Sequence, residues 1–345
     1  MAEFHHATLR DAACACGLLF GVAWPAGGAS AQLSTLDVHF ISVGQADATL
    51  VRCPANKGYV LVDAADTRYP DSSKRFRAFL EAEFKDKPKK LDVVIASHPH
   101  TDHIGSMQWV LETFEVGTYV DSGATAETRI WGSLDKLRSK LKKQGKLQYI
   151  SAKKSKSAEL AVCPGANVTL DVFSPWAFAS KLSDANDRSV VARLGHGNIS
   201  FLFVGDAHDT AENVMLEQVD DDLRKKLDVD VLKVGHHGSH TSSTTAFILA
   251  VSPQLAVISS GQKEVGTNAG YKHPRFNTIV NYANWFKSAD RSKYGSAPLP
   301  KGKVWAYDSS KKWRQSQRPD GMWLTTVDGT IVVKSNGAKL DLTLQ

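Results

Sequence analysis

The hexapeptide His98-Pro99-His100-Thr101-Asp102-His103 constrains this chain more than any other segment. It gathers three imidazoles and one carboxylate directly after the apolar residues 91–96, which read as a buried strand. The cluster therefore sits where a strand ends and the chain can turn its side chains into a cleft. Neutral imidazole and carboxylate are the ligands that borderline divalent metals take. Four such groups are costly to bury together without a cation to satisfy them. A solvated His-rich loop is the alternative.

The same pattern recurs twice. Residues 201–204 form an apolar run that ends in Gly205-Asp206, and a carboxylate there can bridge two cations through its two oxygens. Residues 231–234 form another run, followed by Gly235-His236-His237-Gly238-Ser239-His240. A lone Gly-Asp after a strand is common. Three strand ends bearing ligand-type side chains on one chain are hard to explain as core histidines.

Around these segments the periodicity predicts strands over 38–43, 48–52, 59–63, 92–96, 168–173, 190–194, 199–204, 229–234 and 255–259. Helices are expected over 72–84, 104–114, 134–143, 211–217, 244–250 and 276–286. Closing strands are expected at 303–307, 322–327 and 330–334, with a polar, basic surface loop at 308–320. The pattern is that of two mixed sheets with helices outside, a layered α/β domain.

The chain has 345 residues, 42% of them hydrophobic and 23% charged, enough for an ordinary core. No apolar stretch reaches the roughly 18 residues of a membrane span. Residues 1–31 read as an export signal: Arg10 in the n-region, an apolar core over 12–24, and Ala29-Ser30-Ala31 before cleavage at Gln32. The mature chain, 32–345, would be one domain with a strand-rich C-terminal extension in the periplasm or outside the cell. Cleavage removes Cys14 and Cys16 and leaves Cys53 and Cys163, which either pair in an oxidising compartment or stay as two buried thiols. The net charge of +6 is compatible with a polyanionic partner.

Together, His-x-His-x-Asp-His, Gly-Asp and a strand-end histidine resemble the metallo-β-lactamase fold hydrolases. Residues 232–239 (Leu-Lys-Val-Gly-His-His-Gly-Ser), Asn186-Asp187-Arg188-Ser189 and Tyr271-Lys272-His273-Pro274 resemble one branch, the hydrolase domain of ComEC-type competence (DNA-uptake) proteins. The resemblance implies a four-layer αβ/βα sandwich holding two divalent cations, zinc with manganese as the alternative. His98 and His100 would bind the first, Asp102, His103 and His236 the second, and Asp206 would bridge, while Asp63 orients a ligand imidazole. The superfamily places a further histidine before the Gly-Asp strand. Here that region has none, and Asn186 or Asp187 is the substitute. His196 and His208 read as surface residues.

Cations so placed lower the pKa of water toward neutrality, with Asp102 as a catalytic carboxylate beside them. His237 is the candidate proton donor to a leaving group, His273 a candidate phosphate contact, and Ser239 and His240 candidate donors to phosphoryl oxygens. Lys136, Lys140 and Lys143, on a basic helix, and Lys311, Lys312, Arg314 and Arg318 could track a polyanion. Trp305, Trp313 and Trp323 could stack bases, although packing explains them as well. The leading expectation is an exported metal-dependent phosphodiesterase acting on DNA or RNA. The alternatives are a hydrolase of small carbonyl substrates, a β-lactamase or lactonase, and a nucleic-acid-binding module with a degenerate metal site.

Overall fold

The computed structural model describes residues 35–295 and 299–345. The export segment, with Cys14 and Cys16, lies outside the described residues. Six strands lead the chain: β1 (Leu36–Phe40), β2 (Thr49–Arg52), β3 (Tyr59–Val62), β4 (Lys90–Ala96), β5 (Glu115–Asp121) and β6 (Gln148–Ser151). A second set follows: β7 (Ser157–Leu160), β8 (Val168–Phe173), β9 (Val191–His196), β10 (Ile199–Phe203), β11 (Val231–Lys233) and β12 (Leu255–Ile258). The last five are β13 (Lys303–Tyr307), β14 (Trp313–Gln317), β15 (Met322–Leu324), β16 (Ile331–Ser335) and β17 (Leu340–Leu344).

Two mixed sheets result among the described residues, ordered β17-β16-β1-β2-β3-β4-β5-β6 and β15-β12-β11-β10-β9-β8-β7. In the first, β3, β4, β5 and β6 run parallel. In the second, β10, β11, β12 and β15 run parallel. Apolar side chains of both sheets, among them Phe40, Val62, Ile95, Leu194, Phe201 and Val257, interdigitate in one core between them. The outer face of the first sheet is covered by helices Pro70–Glu83, Met107–Thr113 and Arg129–Lys143. Helices Asp209–Glu217, Thr245–Val251 and Phe276–Phe286 cover the second. The order is helix, sheet, sheet, helix, as expected of a four-layer sandwich. No helix among the described residues is long and apolar enough to cross a membrane.

The C-terminal strands are built into these sheets. β16 pairs antiparallel with β1, and β15 extends the second sheet beside β12. The segment 308–320, expected as a loop, contains β14, which pairs with β13 in a separate hairpin. Its sequence Trp-Arg-Gln-Ser-Gln lacks the alternation that reveals a half-buried strand. Helix 104–114 is broken into Thr101–Ile104 and Met107–Thr113 around Gly105, and residues 325–328 leave β15 as a helical turn. A Cβ at Gly105 would meet backbone atoms of Ala65 and Thr67 at 2.6 Å, so only glycine admits this close approach.

Cys53 and Cys163 form a disulfide with Cα atoms 5.2 Å apart, tying the end of β2 in one sheet to the loop before β8 in the other. It closes a sequence separation of 110 residues. In the chain-entropy account a loop near that length is worth roughly 4–5 kcal/mol. Denaturant unfolding should therefore show a loss of that order on reduction or in Cys53→Ser; an unchanged midpoint would contradict it. A second prediction concerns Glu212, whose carboxyl accepts the N–H groups of Ser243 and Thr244 and so caps helix Thr245–Val251. Burial pushes its pKa up from 4.5 to about 7, against the pull of those N–H groups. A raised carboxyl pKa favours the fold while the group is protonated. Its contribution is thus complete below pH 4.5 and lost as pH rises to about 7. Stability measured across that window should fall more steeply in the wild type than in Glu212→Gln.

Candidate metal centre

Parallel strands bring their C-terminal ends to one edge, where open α/β sheets hold ligands. Asp63 follows β3, the His98–His103 segment follows β4, Asp206 follows β10, His236 and His237 follow β11, and Ser259 follows β12. Gly205 lets the chain deliver Asp206. Its φ is +55°, and a Cβ there would meet Ser189 Oγ and Ser97 Cβ at 2.8 Å. Asp63, His236 and His237 also adopt positive φ, at 60°, 48° and 53°, a sparsely populated conformation for such residues. Strain of this kind collects at functional sites.

Asp206 is the centre. Its Oδ2 lies 3.2 Å from His103 Nε2, 3.6 Å from His237 Nε2, and 3.8 Å from both His98 Nε2 and His236 Nε2. The Nδ1 atoms of the two nearest histidines are already engaged: His103 Nδ1 donates to Asp63 Oδ2 at 2.7 Å and His237 Nδ1 to the Ser259 carbonyl at 3.0 Å. Each ring is thereby held with Nε2 facing Asp206. Asp102 Oδ2 closes the group, 3.7 Å from His237 Nε2. Four buried atoms here, His103 Nε2, His237 Nε2, Asp206 Oδ1 and Asp47 Oδ1, have no hydrogen-bond partner. Buried polar atoms are ordinarily paired. Orphans converging from imidazole and carboxylate are the donor set of a divalent cation, so the residues fit the expected metal.

Asp47 also borders this cluster. Its Oδ2 accepts from the buried Lys233 ammonium at 2.7 Å and faces the Nδ1 edges of His103 and His237 at 3.9 and 3.8 Å, while its Oδ1 is unpartnered. Beside the first group, His98 Nε2 and His100 Nδ1 are 3.0 Å apart, close enough to share an ion. On the other side His236 Nδ1 lies 2.8 Å from Thr241 Oγ1 and 3.0 Å from His208 Nε2, which is 3.0 Å from Asn186 Nδ2.

Charge follows the geometry. Burial holds His98 and His273 well below the ordinary imidazole pKa, and it brings His236 to about 4. These rings are neutral, as ligands must be. Burial alone would also lower His103 and His237, but Asp206 with Asp63 raises the first and Asp206 with Asp47 the second. Asp206 itself, which burial would raise, is held well below the carboxylate range by His103, His237 and His236. The positive charge facing Asp206 is thus on His103 and His237.

Several expectations change. Both paired histidines face Asp206, His236 Nε2 at 3.8 Å and His237 Nε2 at 3.6 Å; His237 is the more buried and also reaches Asp102, whereas His236 leans on Thr241 and His208. His237, the candidate proton donor, has Nδ1 committed to the Ser259 carbonyl and Nε2 facing Asp102 and Asp206, the placement of a ligand-type residue. Asp187 does not substitute as a ligand: its Oδ1 accepts the N–H groups of His208 and Ala211 at the start of a helix. Asn186 does reach the site edge, and its Oδ1 is unpartnered. His208, read as a surface residue, is half-buried there. His196 is buried, paired with Ser335 Oγ. Ser239 is 2% exposed and its hydroxyl accepts from Thr241.

His273 is buried at the site, its ring 5.3 Å from that of His236. His240 is exposed, in a separate cleft with Arg275 and Tyr307. Lys136, Lys140 and Lys143 are exposed on a helix that packs through Leu134; the cation it turns toward His98 is Arg138, bound to Asp135. Arg318 is buried against Asp328 and Trp323 is in the core, so neither can meet a polyanion. Sequence reasoning missed Asp47, Lys233 and Arg68. A lysine inside a fully buried strand signals a buried partner, and that signal was available for Lys233. Arg68 Nη2 lies 3.4 Å from Asp102 Oδ1 at the exposed rim.

Residues 41–151 match the model of the metallo-beta-lactamase superfamily. The chain is 28% identical over 252 residues to ComE operon protein 3 of Bacillus subtilis (strain 168), covering 69% of this chain and 29% of that protein. It is 41% identical over 91 residues to Competence protein ComA of Neisseria gonorrhoeae, covering 26% and 12%. It thus spans less than a third of the length of these curated relatives. Among solved structures, the metallo-beta-lactamase fold protein YhfI from Bacillus subtilis aligns with a TM-score of 0.41 at 13% identity, covering 65% of this chain and 86% of that one. Human tRNase Z, short form, aligns with a TM-score of 0.41 at 14% identity, covering 66% and 94%.

The geometry predicts unequal losses of metal affinity, read by competition with a chromogenic chelator. His237→Ala should weaken binding more than His236→Ala. Asp63→Asn, which disturbs the orientation of His103 and the hydrogen bonds from Ser97, should cost roughly 10- to 100-fold. Equal losses at His236 and His237 would contradict the assignment.

Proposed function

We propose, for a chain that carries a metallo-beta-lactamase superfamily domain and is related to the ComEC competence proteins, that it is a metal-dependent phosphodiesterase whose substrate is nucleic acid. The observation that carries the reading is the convergence of unpartnered, buried ligand atoms from Asp206, His103 and His237. Asp102, His103, His237 and Asp206 would hold one divalent cation, with His98 and His100 as ligands to a second. Cations there would supply Lewis acidity and lower the pKa of water toward neutrality.

The chain's own residues then orient the substrate. Gln45 Nε2 donates to His273 Nδ1 at 3.1 Å, which leaves the imidazole proton on Nε2. Burial keeps this ring neutral, so it serves as a fixed hydrogen-bond donor to an anionic oxygen and not as a proton source. Arg68 is anchored by Asp66 at 2.9 Å and reaches Asp102 from the open side. A guanidinium there complements a phosphoryl group. A lactam or lactone calls for an apolar pocket instead. The pocket behind His98, bounded by Trp131 and Leu134, holds about 20 Å³, room for roughly one water. The disulfide suits an oxidising compartment, which supports a place outside the cytoplasm.

Protein stripped with a chelator and reloaded with zinc or manganese should hydrolyse an aryl phosphodiester and an oligonucleotide, and should leave a β-lactam intact. Asp206→Ala should lower turnover by about 100- to 10,000-fold, since metal activation is worth several kcal/mol and each 1.36 kcal/mol is tenfold. Lactam hydrolysis without phosphodiester hydrolysis would overturn the reading.

A further inference from the structure

We propose that the outward face of the β13–β14 hairpin is a stacking surface for an unpaired polynucleotide strand, leading it to His273 at the edge of the metal centre. This deepens the phosphodiesterase reading and rests on it. The hairpin alternates: Val304 and Ala306 are buried in the core beneath, so Lys303, Trp305 and Tyr307 face out. The register Tyr307↔Trp313 and Trp305↔Gln315 puts Trp313 on that same face. Trp305 is 43% exposed. Among the described residues the exposed large aromatics are Trp305 and Tyr271, and both flank His273.

Trp305, Trp313, Lys263 and Lys303 line one cleft whose inner end is His273-Pro274. From there Tyr271 stacks on His273 with ring centroids 6.1 Å apart, and Arg68 lies over Tyr271 and reaches Asp102. The cleft of the hairpin and the Tyr271–Arg68 pair therefore meet at His273.

Two of these rings, Trp305 and Tyr307, carry cations. Lys263 Nζ is 4.3 Å from the Trp305 centroid, Lys272 Nζ is 4.7 Å from that of Tyr307, and Arg275 lies over the same tyrosine. Asp308, the nearby acid, is buried and bound to Arg314, so it does not cancel them. Rings that accept a base face, each next to a cation that can move to a phosphate, are the composition of single-strand sites. A duplex keeps its base faces stacked internally and cannot use such rings. The shared chemistry covers DNA and RNA strands alike.

The test is anisotropy of labelled 12-mers, oligo-dT, oligo-U and a DNA duplex, on the whole chain in chelator so that nothing is cleaved. Trp305→Ala should weaken binding of oligo-dT, oligo-U or both by roughly 5- to 100-fold, the loss of one stacked base. Duplex binding should stay within about twofold, and Trp305→Phe should keep most of the affinity. Comparing the two strands tells DNA from RNA. Lys263→Gln should reduce the salt slope by about 0.7. Equal single-strand affinity in wild type and Trp305→Ala overturns the proposal, as does a wild type that binds no strand at low salt. A dimer in solution that Trp305→Ala converts to monomer overturns it in favour of self-association. Turnover of a small aryl phosphodiester should be unchanged in Trp305→Ala. Loss of strand binding in a chain that hydrolyses no diester sinks the phosphodiesterase reading alone; intact turnover with unmoved affinity sinks the stacking surface alone.

Discussion

Everything at the site depends on one buried carboxylate. Asp206 is 2% exposed and approached by imidazole nitrogens from two chain segments, 98–103 and 236–237. An isolated ionised carboxylate at such depth is prohibitively costly. It is tolerated because His103, itself braced by Asp63, and His237, braced by Ser259, face it from opposite sheets. The brace matters as much as the contact: a ring free to rotate would present either nitrogen, whereas these present Nε2 alone.

That arrangement cannot exist within either sheet. Asp63 and the His98–His103 segment belong to the first sheet, and Asp206, His236 and His237 to the second. The apolar core between the sheets, from Leu36 to Leu342, sets the distance across which they meet. Packing and chemistry are thus one design. A void in that core would change the spacing of the ligands before it unfolded the chain.

The strand ends were legible because two signals coincide there: apolar runs of strand length, and polar residues of one chemical kind just past them. Parallel strands then do the rest, since they deliver their ends to a common edge. Other features carried no such signal. β14 is polar on both faces and is a strand only because β13 offers it a partner. His236 and His237 are neighbours of identical chemistry and similar backbone conformation, so only their partners, Thr241 for the first and the Ser259 carbonyl for the second, distinguish them. Asp187 and Asn186 look equivalent in the sequence, yet one carboxylate is consumed by backbone N–H groups. Lys136, Lys140 and Lys143 form the most conspicuous basic run, but the cation at the exposed rim of the site is Arg68, brought there by folding.

The placement of the disulfide has a consequence for which elements the ions can meet. β2 runs antiparallel to β3, so Arg52 lies beside Tyr59, at the opposite end of the sheet from Asp63. Cys53 is therefore remote from the histidines, and its sulfur is already bonded to that of Cys163. Thiolate is the softest donor a protein can offer and would outcompete nitrogen and oxygen for zinc or copper. Among the described residues these are the cysteines, so the centre is left with harder donors alone, and its preference among ions is set by imidazole and carboxylate without interference from sulfur.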